Sequence, residues 1–324
     1  MPRFSIVIPI YNSYNLLGKC LENLENQTFK DFEIVAIDDC STDNSFIELQ
    51  NYSKNSKLNF HIFKNDKNSG PGATRNNGIR NATGEYILFI DSDDYIETNS
   101  LELINKVIEE NKVDCVIFDF VQIMKHNKIK RKSINKKESQ YIDTNDALIY
   151  CNASTCGKVY LLDIIKNNKI EFPDLMRNED FVFNKLALAK CNKIYYLNES
   201  LYNYIDNPDS LMNNKKLIDE KNNIVAFEIV EKELKGKYDK ALESIFIIEY
   251  LYSITIKMID LKYNSKKIKD HIKFCKDKYP YIYKNEIINN SNAFKKTFIK
   301  ATKLNSVFIL KILLKLKKVI RKFL

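Results

Sequence analysis

The sequence predicts an α/β fold in which a mostly parallel sheet is followed by a helical C-terminal region. Two observations lead to this prediction. Short apolar runs alternate with stretches of helical periodicity between about residues 4 and 120, whereas only helical periodicity appears from about Lys215 onward. Alternation of strands and helices implies parallel strands joined by right-handed crossovers. We therefore predict two domains, 1–212 and 213–324, in agreement with a prior of about 150 residues per domain.

Five apolar runs of strand length are the predicted strands of the sheet. They are residues 4–10, 32–39, 60–65, 86–90 and 114–120. Residues 121–140 interrupt the alternation with a polar, basic stretch, for which we predict an exposed or mobile excursion. Helical patterns then follow around residues 145–151, 159–167 and 178–190, and a strand-like pattern follows near residues 193–205.

Composition argues against several classes of protein. The seven cysteines form no CxxC pair and there are only three histidines, so neither a zinc site nor a disulfide framework is expected. A reducing, cytoplasmic compartment is the simplest interpretation. The first residues show no signal-peptide pattern, and no stretch approaches the roughly 18 apolar residues of a membrane-spanning helix.

The net charge of +9 is concentrated at the C-terminal end. No acidic residue follows Glu286, and the chain without its ten later basic residues has 41 basic and 42 acidic residues. This nearly neutral body argues against a nucleic-acid-binding protein.

The last residues have the pattern of an amphipathic helix. Basic residues fall on one face at 311, 315, 318 and 322, and apolar residues fall on the other at 309, 312, 313, 316, 320 and 323. Such a helix suits an anionic membrane surface. The alternative is a terminal helix packed on the body with a solvated basic face.

The most informative motif is IDSDDY at residues 90–95, because it follows an apolar run of buried-strand type. In open α/β sheets, ligands bind beyond the carboxyl ends of the strands. Carboxylates there suit a hard divalent cation that in turn holds phosphate oxygens. Taken alone, the motif is weak evidence, since an Asp-x-Asp turn on a surface is usually just solvated.

Two earlier strands end in residues that suit a nucleotide base. Pro9 and Tyr11 end the first strand, and Asp38 and Asp39 end the second, so both groups are expected at one edge of the sheet. A tyrosine ring offers a flat surface, and a carboxylate accepts an N–H from a base edge. The alternative is that Tyr11 packs in the core and Asp39 caps the next helix.

Two further segments carry candidate functional residues. Residues 70–78 are not a dinucleotide fingerprint, but they allow a tight loop into a helix that presents Arg75, a residue type suited to phosphate or carboxylate. Glu179 and Asp180 begin another predicted helix. The helix dipole favours acids there, and the functional alternative is a general base beside an acceptor hydroxyl.

Five motifs in one order give the chain a family resemblance. They are SIVIPIYNSYNLL with its continuation through VAIDDCSTDNS, then GATRNNGI, GEYILFIDSDDYI, GKVY and NEDFVFN. The chain resembles the inverting family-2 glycosyltransferases with a Rossmann-like GT-A fold. Its later part, which includes the Tyr-rich segment at 201–214, resembles bacterial transferases of capsule or lipooligosaccharide synthesis, such as Campylobacter-type β-1,3-galactosyltransferases.

The resemblance implies a role for each candidate residue. Pro9, Tyr11 and Asp39 would hold the base of a UDP-sugar, Asp91 would lie against the ribose or metal with Ser92 beside it, and Asp93 would be the principal ligand of Mn²⁺ or Mg²⁺. Arg75 and Lys158 would face the diphosphate, Glu179 would lie near the diphosphate or acceptor, and Asp180 would be the catalytic base. The implied acceptor is a glycan or glycolipid at the cytoplasmic face of the inner membrane.

The chain also departs from the family pattern. Cys156 stands where a tryptophan is often found, Ile205 replaces a frequent arginine, and Cys40 replaces a common glycine. Two other functions remain open at this point. A nucleotidyltransferase usually needs a basic triphosphate loop after the first strand, which this chain lacks. A non-catalytic sugar-nucleotide-binding protein does not need the intact Asp93 and Asp180.

Overall fold

A ten-stranded mixed sheet runs through the first structural unit, Met1–Glu233, within the residues that this computed structural model describes, 1–206 and 220–323. The strands are β1 Phe4–Ile10, β2 Phe32–Asp38, β3 Asn59–Lys64, β4 Tyr86–Phe89, β5 Tyr95–Ile96, β6 Cys115–Met124, β7 Asn127–Arg131, β8 Gln140–Ile142, β9 Lys158–Leu161 and β10 Ile194–Ile205. The helices are α1 Tyr14–Glu25, α2 Ser45–Asn55, α3 Gly70–Asn81, α4 Ser100–Asn111, α5 Thr144–Tyr150, α6 Leu162–Asn167, α7 Glu179–Lys190 and α8 Glu220–Leu234.

The strand order is β3-β2-β1-β4-β9-β6-β10-β5, with β7 paired to β6 and β8 paired to β10. Strands β1 to β4 are parallel, and β6 is parallel to β10. Strand β9 is antiparallel to both β4 and β6, so β4 and β6 run in the same direction. The carboxyl ends of β1, β2, β4 and β6 therefore lie at one edge of the sheet. This agrees with the mostly parallel sheet that the sequence predicts.

Burial explains why the central strands are largely apolar. Every residue of β2 and β4 is buried, because helices cover both faces of the sheet. Helix α1 packs on one face through Leu17 and Leu21. On the other face α3 lies very close to β1, and a Cβ on Gly78 would come within 2.2 Å of Val7 Cγ1. Only glycine fits this contact between α3 and β1.

Two predictions about the second half of this unit are corrected by the structure. Much of 121–140 is exposed, as predicted, but its first part is an ordered hairpin in which β6 continues to Met124 and turns into β7. Residues 132–139 form neither helix nor strand, and Ile134 among them is buried. Charged, exposed side chains mask the extension of β6, which pairs with β10, and the strand β7, which pairs with β6. Residues 159–161 are not helical but belong to β9, where Val159 and Tyr160 are buried between β4 and β6. Tertiary pairing overrides local helical periodicity here.

The second unit, Leu234–Leu324, is helical in its described part, as predicted. Its elements are α9 Asp239–Phe246, a π-helical segment Ile247–Ile254, α10 Thr255–Asp260, α11 Ser265–Lys278, α12 Glu286–Asn290, α13 Ala293–Ala301 and α14 Val307–Phe323. None of the helices found in the described ranges has the length and apolar character needed to cross a membrane. The predicted boundary at 212 and 213 lies outside the described residues, so it stays a prediction.

Candidate active site

A buried arginine joins the predicted acids from two distant parts of the chain. Arg75, only 5% exposed, donates from Nη2 to Asp91 Oδ1 at 2.8 Å and from Nη1 to Asp180 Oδ1 at 3.2 Å. Glu179 Oε1 lies 3.7 Å from the same Nη1. Burial lowers the pKa of Arg75, but Asp180 and Asp91 raise it by more, so the guanidinium stays charged. Asp91 and Asp180, assigned to different roles by the sequence, therefore lie in one cluster.

Helix α3 is held against Phe172 in its first turn and near its middle, which positions Arg75. The side chain of Asn76 exchanges two hydrogen bonds with the backbone of Phe172, both at 2.8 Å. At the helix start, a Cβ on Gly72 would lie 3.3 Å from Phe172 Cβ. The guanidinium of Arg75 also lies over the Phe172 ring, 5.5 Å from its centroid.

Half-buried and buried residues alternate in the turn after β4. Asp91 and Asp93 are half-buried, whereas Ser92 and Asp94 are buried. The Asp94 carboxylate accepts hydrogen bonds from Tyr202 Oη and from the backbone N–H of Ile205, both at 2.7 Å. Asp94 thus anchors the end of β10.

Ser92 has a supporting position in the same turn. Its hydroxyl lies 2.7 Å from the Ser13 hydroxyl and so joins this turn to the chain after β1. The predicted role of Ser92 in binding the donor nucleotide stays a prediction, because no contact among the described residues tests it.

Asp91 and Asp93 fit a cation that arrives with its substrate. Within residues 1–206 and 220–323, no group of three or more His, Cys, Asp or Glu side chains forms a ready metal site. Burial, and then the charge of Asp91, raise the pKa of Asp93. A divalent cation would relieve this repulsion, and Mg²⁺-like ions are commonly held by one or two carboxylates plus substrate phosphates. The oxygen donor set therefore suits Mn²⁺ or Mg²⁺ with Asp93 as ligand.

The first turn of α7 presents Glu179 and Asp180. Asn178 before them has a left-handed backbone, with φ 68°, which starts the helix abruptly. Asp180 Oδ2 accepts the backbone N–H of Thr155 at 3.2 Å, so two donors orient its carboxylate while its side chain stays 26% exposed. Burial, and then the charge of Asp180, raise the pKa of Glu179 to about 7. The pair contains an oriented, accessible carboxylate beside one that titrates near neutrality.

At the predicted base site, Tyr11 and Asp39 differ. Tyr11 is 47% exposed, so it is not a core packing residue and its ring is available to a ligand. Asp39 is buried, and its carboxylate accepts the N–H groups of Ser69 and Gly70 and the Asn65 side chain, at 2.8–2.9 Å. It therefore caps α3 rather than the next helix.

The base-binding roles of Asp39 and of the half-buried Pro9 stay predictions. A carboxylate has about four acceptor positions, so the three bonds to Asp39 leave room for one more. Beside Asp39 lies an open cleft of about 570 Å³, lined by Lys64, Asn65, Asp66, Lys67, Ser69 and Asn77. The sequence had not suggested these residues.

Lys158 is used inside the protein. It is buried, and its ammonium group donates to Asn152 Oδ1 at 2.7 Å and to the backbone oxygen of Ser154. These bonds hold the loop whose next residue, Thr155, contacts Asp180. The sequence offers one signal that this loop could orient Asp180, which is that Thr155 stands two residues before the GKVY motif. A contact of Lys158 with a diphosphate stays a prediction.

Beyond Asp206, the Tyr-rich segment 201–214 lies outside the described residues. Its earlier part belongs to β10, where Tyr202 and Ile205 bond to Asp94 as described. The Cys156 thiol lies 3.6 Å from Asp91 Oδ2, and burial raises its pKa well above the ordinary range. Cys156 is therefore an uncharged side chain that packs against the cluster of Arg75 and the acids.

The sheet carries acids and a buried arginine at its carboxyl edge, which is where ligands bind in Rossmann-like α/β folds. The chain belongs to glycosyl transferase family 2, whose family model matches residues 5–167. The predicted family is therefore confirmed, and with it the enzyme class. The family match also decides against the nucleotidyltransferase alternative.

The curated relatives are bacterial transferases. The poly(ribitol-phosphate) beta-glucosyltransferase of Bacillus spizizenii is 38% identical over 208 residues, which cover 63% of this chain and 32% of that protein. The Campylobacter jejuni GalNAc(5)-diNAcBac-PP-undecaprenol beta-1,3-glucosyltransferase is 27% identical, covering 58% of this chain and 59% of that protein. The matched part thus spans about a third of the first relative's length.

Solved structures confirm the GT-A fold. Staphylococcus aureus TarS 1–349 in complex with UDP-GlcNAc has a TM-score of 0.76 at 23% identity, covering 96% of this chain and 90% of that one. The mannosyltransferase PcManGT from Pyrobaculum calidifontis, in complex with GDP-Man and Mn²⁺, has a TM-score of 0.58 at 15% identity, covering 84% and 74%. The predicted fold class, including its helical C-terminal region, is therefore confirmed.

Proposed function

We propose that the chain is an inverting, metal-dependent glycosyltransferase that moves a hexose or N-acetylhexosamine from a UDP-sugar to a hydroxyl of a bacterial surface glycan. The acceptor would be a capsule, lipooligosaccharide or lipid-linked chain. The observation that carries this proposal is the Arg75 guanidinium, which contacts Asp91 and Asp180 together. One arginine thus links the donor-side turn to the acid at the start of α7.

The comparisons support the donor and acceptor classes without fixing either. TarS 1–349 has been solved with UDP and with UDP-GlcNAc. The relatives named above act on poly(ribitol-phosphate) and on an undecaprenol-linked oligosaccharide, as their names state. Both acceptors combine hydroxyls with phosphate groups.

On the donor side, Tyr11 would lie against the base, with Pro9 beside it and Asp39 bonding to the base edge. Asp91 would contact the ribose or metal, and Asp93 would hold the cation. When bound, the cation stabilises the negative charge on the departing nucleoside diphosphate. Arg75 would add a fixed positive charge next to the oxygens of the diphosphate. Its guanidinium is already held in place, so the side chain need not reorganise during the reaction.

On the acceptor side, Asp180 would take the hydroxyl proton. As that O–H bond breaks, the oxygen bonds to the anomeric carbon and the bond from this carbon to the diphosphate breaks. A single displacement inverts the anomeric configuration. The Thr155 N–H and Arg75 hold the two oxygens of Asp180, so the carboxylate is oriented before the acceptor arrives.

We further propose that the chain binds the cytoplasmic face of the inner membrane through α14. This helix packs within its own unit through Val307, Leu310 and Leu314, and Lys318 pairs with Asp260 at 2.7 Å. Its opposite side exposes a second apolar row, which is Phe308, Ile312, Leu316 and Val319. Exposed lysines at 311 and 315 lie beside this row, a pattern that suits anionic lipid.

A thermal-shift panel of nucleotide sugars, each with and without Mn²⁺, tests the donor proposal. A ligand at 100 times its Kd stabilises the folded state by about 2.7 kcal/mol. We expect one UDP-sugar to stabilise the protein with Mn²⁺ present, and the metal-dependent part to vanish in Asp93→Ala. The exposed Asp163→Ala should behave like the wild type. If no UDP-sugar stabilises the wild type, the donor assignment is wrong; a shift with another nucleotide would redirect it.

A further inference from the structure

The hairpin formed by β6 and β7 carries a row of cations at the carboxyl edge of the sheet. No acidic residue occurs from Lys125 to Lys137, while seven lysines and arginines do. Lys132 pairs with the buried Asp119 at 2.9 Å, and Lys136 pairs with Asp146 at 2.9 Å. These two lysines are thereby neutralised within the fold.

Of the other five cations, Lys137 lies beyond the end of β7, and four belong to the hairpin itself. Lys125, Lys128, Lys130 and Arg131 are exposed. Over the part of the chain that the structure describes, none of them forms an ion pair, and Arg131 bonds only to the neutral Gln122. A concentration of unpaired cations on one hairpin attracts anions, and lysine binds phosphate as a point charge.

The hairpin begins at the candidate active site. Strand β6 continues from Ile117, which lies opposite Lys158, to Met124, a reach of roughly 20 Å at about 3.3 Å per residue. Along this extension Ile123 pairs with Ile205 of β10. The backbone N–H of Ile205 bonds to Asp94, in the same turn as Asp91 and Asp93. The hairpin thus leads outward from the donor-side acids.

Two of its lysines lie on the side of the sheet that bears α7. Tyr160 is opposite Cys115 and donates its hydroxyl to Asn184 of α7 at 2.5 Å, so Cys115 and the alternate residues after it face α7. Val121 and Ile123 belong to that alternate set. Their cross-strand partners are Lys130 and Lys128. Both lysines therefore share the face on which Asp180 begins α7.

We infer that Lys125, Lys128 and Lys130 form a recognition surface for a phosphate-bearing acceptor chain, which they hold while one of its hydroxyls reaches Asp180. This inference rests on the proposed function, because it assigns the acceptor of that reaction to a chemical class. A polymer with repeated phosphodiesters fits better than a membrane surface, since Lys128 and Lys130 share one strand face with the proposed base and Lys125 lies in the turn next to them. Arg131, on the other face of β7, is left out of this surface.

Binding of a labelled glycerol-phosphate oligomer, followed by fluorescence anisotropy, tests the inference independently of turnover. We expect the wild type to bind it, more weakly as salt rises, and to bind a neutral glucose oligomer of the same length much less. Lys125→Gln, Lys128→Gln and Lys130→Gln together should weaken binding roughly tenfold and flatten the salt dependence. The matched control combines three exposed lysines at the opposite edge of the sheet, Lys54→Gln, Lys57→Gln and Lys190→Gln, and should bind like the wild type.

Three results would overturn the inference. They are no binding by the wild type, equal weakening by the two triple variants, and a hairpin variant that loses binding to anionic vesicles while keeping the oligomer. The last result would assign the lysines to a membrane. Stabilisation by a UDP-sugar, measured on the same proteins, should be unchanged in the hairpin variant. Its absence in the wild type would count against the proposed function and not against the phosphate-binding surface.

Discussion

Thr155 donates its backbone N–H to Asp180 Oδ2 at 3.2 Å, so the loop before β9 orients the proposed catalytic base. The loop is itself held by the buried ammonium of Lys158, which bonds to Asn152 and Ser154. Asp180 is therefore positioned from two sides, by Arg75 on α3 and by this loop. Disturbing the loop should affect chemistry more than donor binding, whereas Arg75 also lies on the proposed donor side.

Replacing Lys158 with methionine tests the loop support. The change keeps the buried volume but leaves the Asn152 and Ser154 oxygens without their donor. Because small displacements of a catalytic group cost up to about 10²-fold in rate, we expect kcat to fall by tenfold or more. Stabilisation by the UDP-sugar should be almost unchanged. A loss of donor stabilisation instead, with kcat retained, would favour the predicted contact of Lys158 with the diphosphate.

The pKa of Glu179 gives a stability prediction with a definite sign. Burial and the charge of Asp180 raise this pKa to about 7, so the folded protein keeps the Glu179 proton at a pH where the unfolded chain has lost it. The free energy of unfolding should therefore fall as the pH rises from about 4.5 to 7, through this group. Glu179→Gln should remove that fall.

Urea unfolding at pH 5 and at pH 8 measures the Glu179 effect. We expect Glu179→Gln to be more stable than the wild type at pH 8, with a much smaller difference at pH 5. Replacing the exposed Glu138 with glutamine provides the control, and should change neither value. A difference between Glu179→Gln and wild type that is the same at both pH values would show that this carboxyl has an ordinary pKa.

A substitution at Gly78 tests the close packing of α3 on β1, which positions Arg75 in the site. A Cβ there would lie 2.2 Å from Val7 Cγ1, which forces α3 away from β1. Gly78→Ala should lower the free energy of unfolding by about 1–3 kcal/mol or more. In contrast, a Cβ on Gly18 of α1 would meet no atom within 4 Å, so Gly18→Ala should be neutral or stabilising by up to about 1 kcal/mol. Similar effects of both changes in urea unfolding would contradict the close packing.

Membrane association can be tested without removing packed helices. Replacing Phe308, Ile312 and Leu316 with serine changes only exposed side chains of α14. We expect roughly tenfold weaker co-sedimentation with anionic vesicles, since each side chain loses apolar burial in the interface. Replacing the exposed Ile47 and Met176 with serine should have no such effect. If wild-type protein does not sediment with anionic vesicles, α14 is simply a helix packed on its unit.

The ends of the strands could be predicted from the sequence because each strand is an apolar run that stops at polar residues. The alternation of strands and helices along the chain predicts that these strands are parallel. Parallel strands place Asp91 and Tyr11 at one edge, and the helix after Gly70 brings Arg75 to it. The bond between Thr155 and Asp180 could not be predicted, since it joins a loop to a helix start whose approach is set by tertiary packing. The same holds for Asp39, whose side chain turns to the backbone of α3.

The errors have related physical causes. Local periodicity describes one element at a time, whereas β9 is a strand because β4 and β6 pair with both of its edges. The composition of residues 121–140 predicts an exposed or mobile excursion because charged side chains cover the hairpin of β6 and β7, whose backbone hydrogen bonds cannot be seen in composition. Polarity predicted their exposure, and pairing determined their structure.

The most direct test of the account compares Asp180→Asn with the wild type for UDP release from the stabilising donor. The substitution keeps the size of the side chain but removes the proposed base, so turnover should fall by about 10²–10⁴. Stabilisation by the UDP-sugar with Mn²⁺ should persist, and Asp163→Asn should retain full turnover. Near-full turnover by Asp180→Asn would contradict the central claim that this carboxylate, held by Arg75 and Thr155, activates the acceptor.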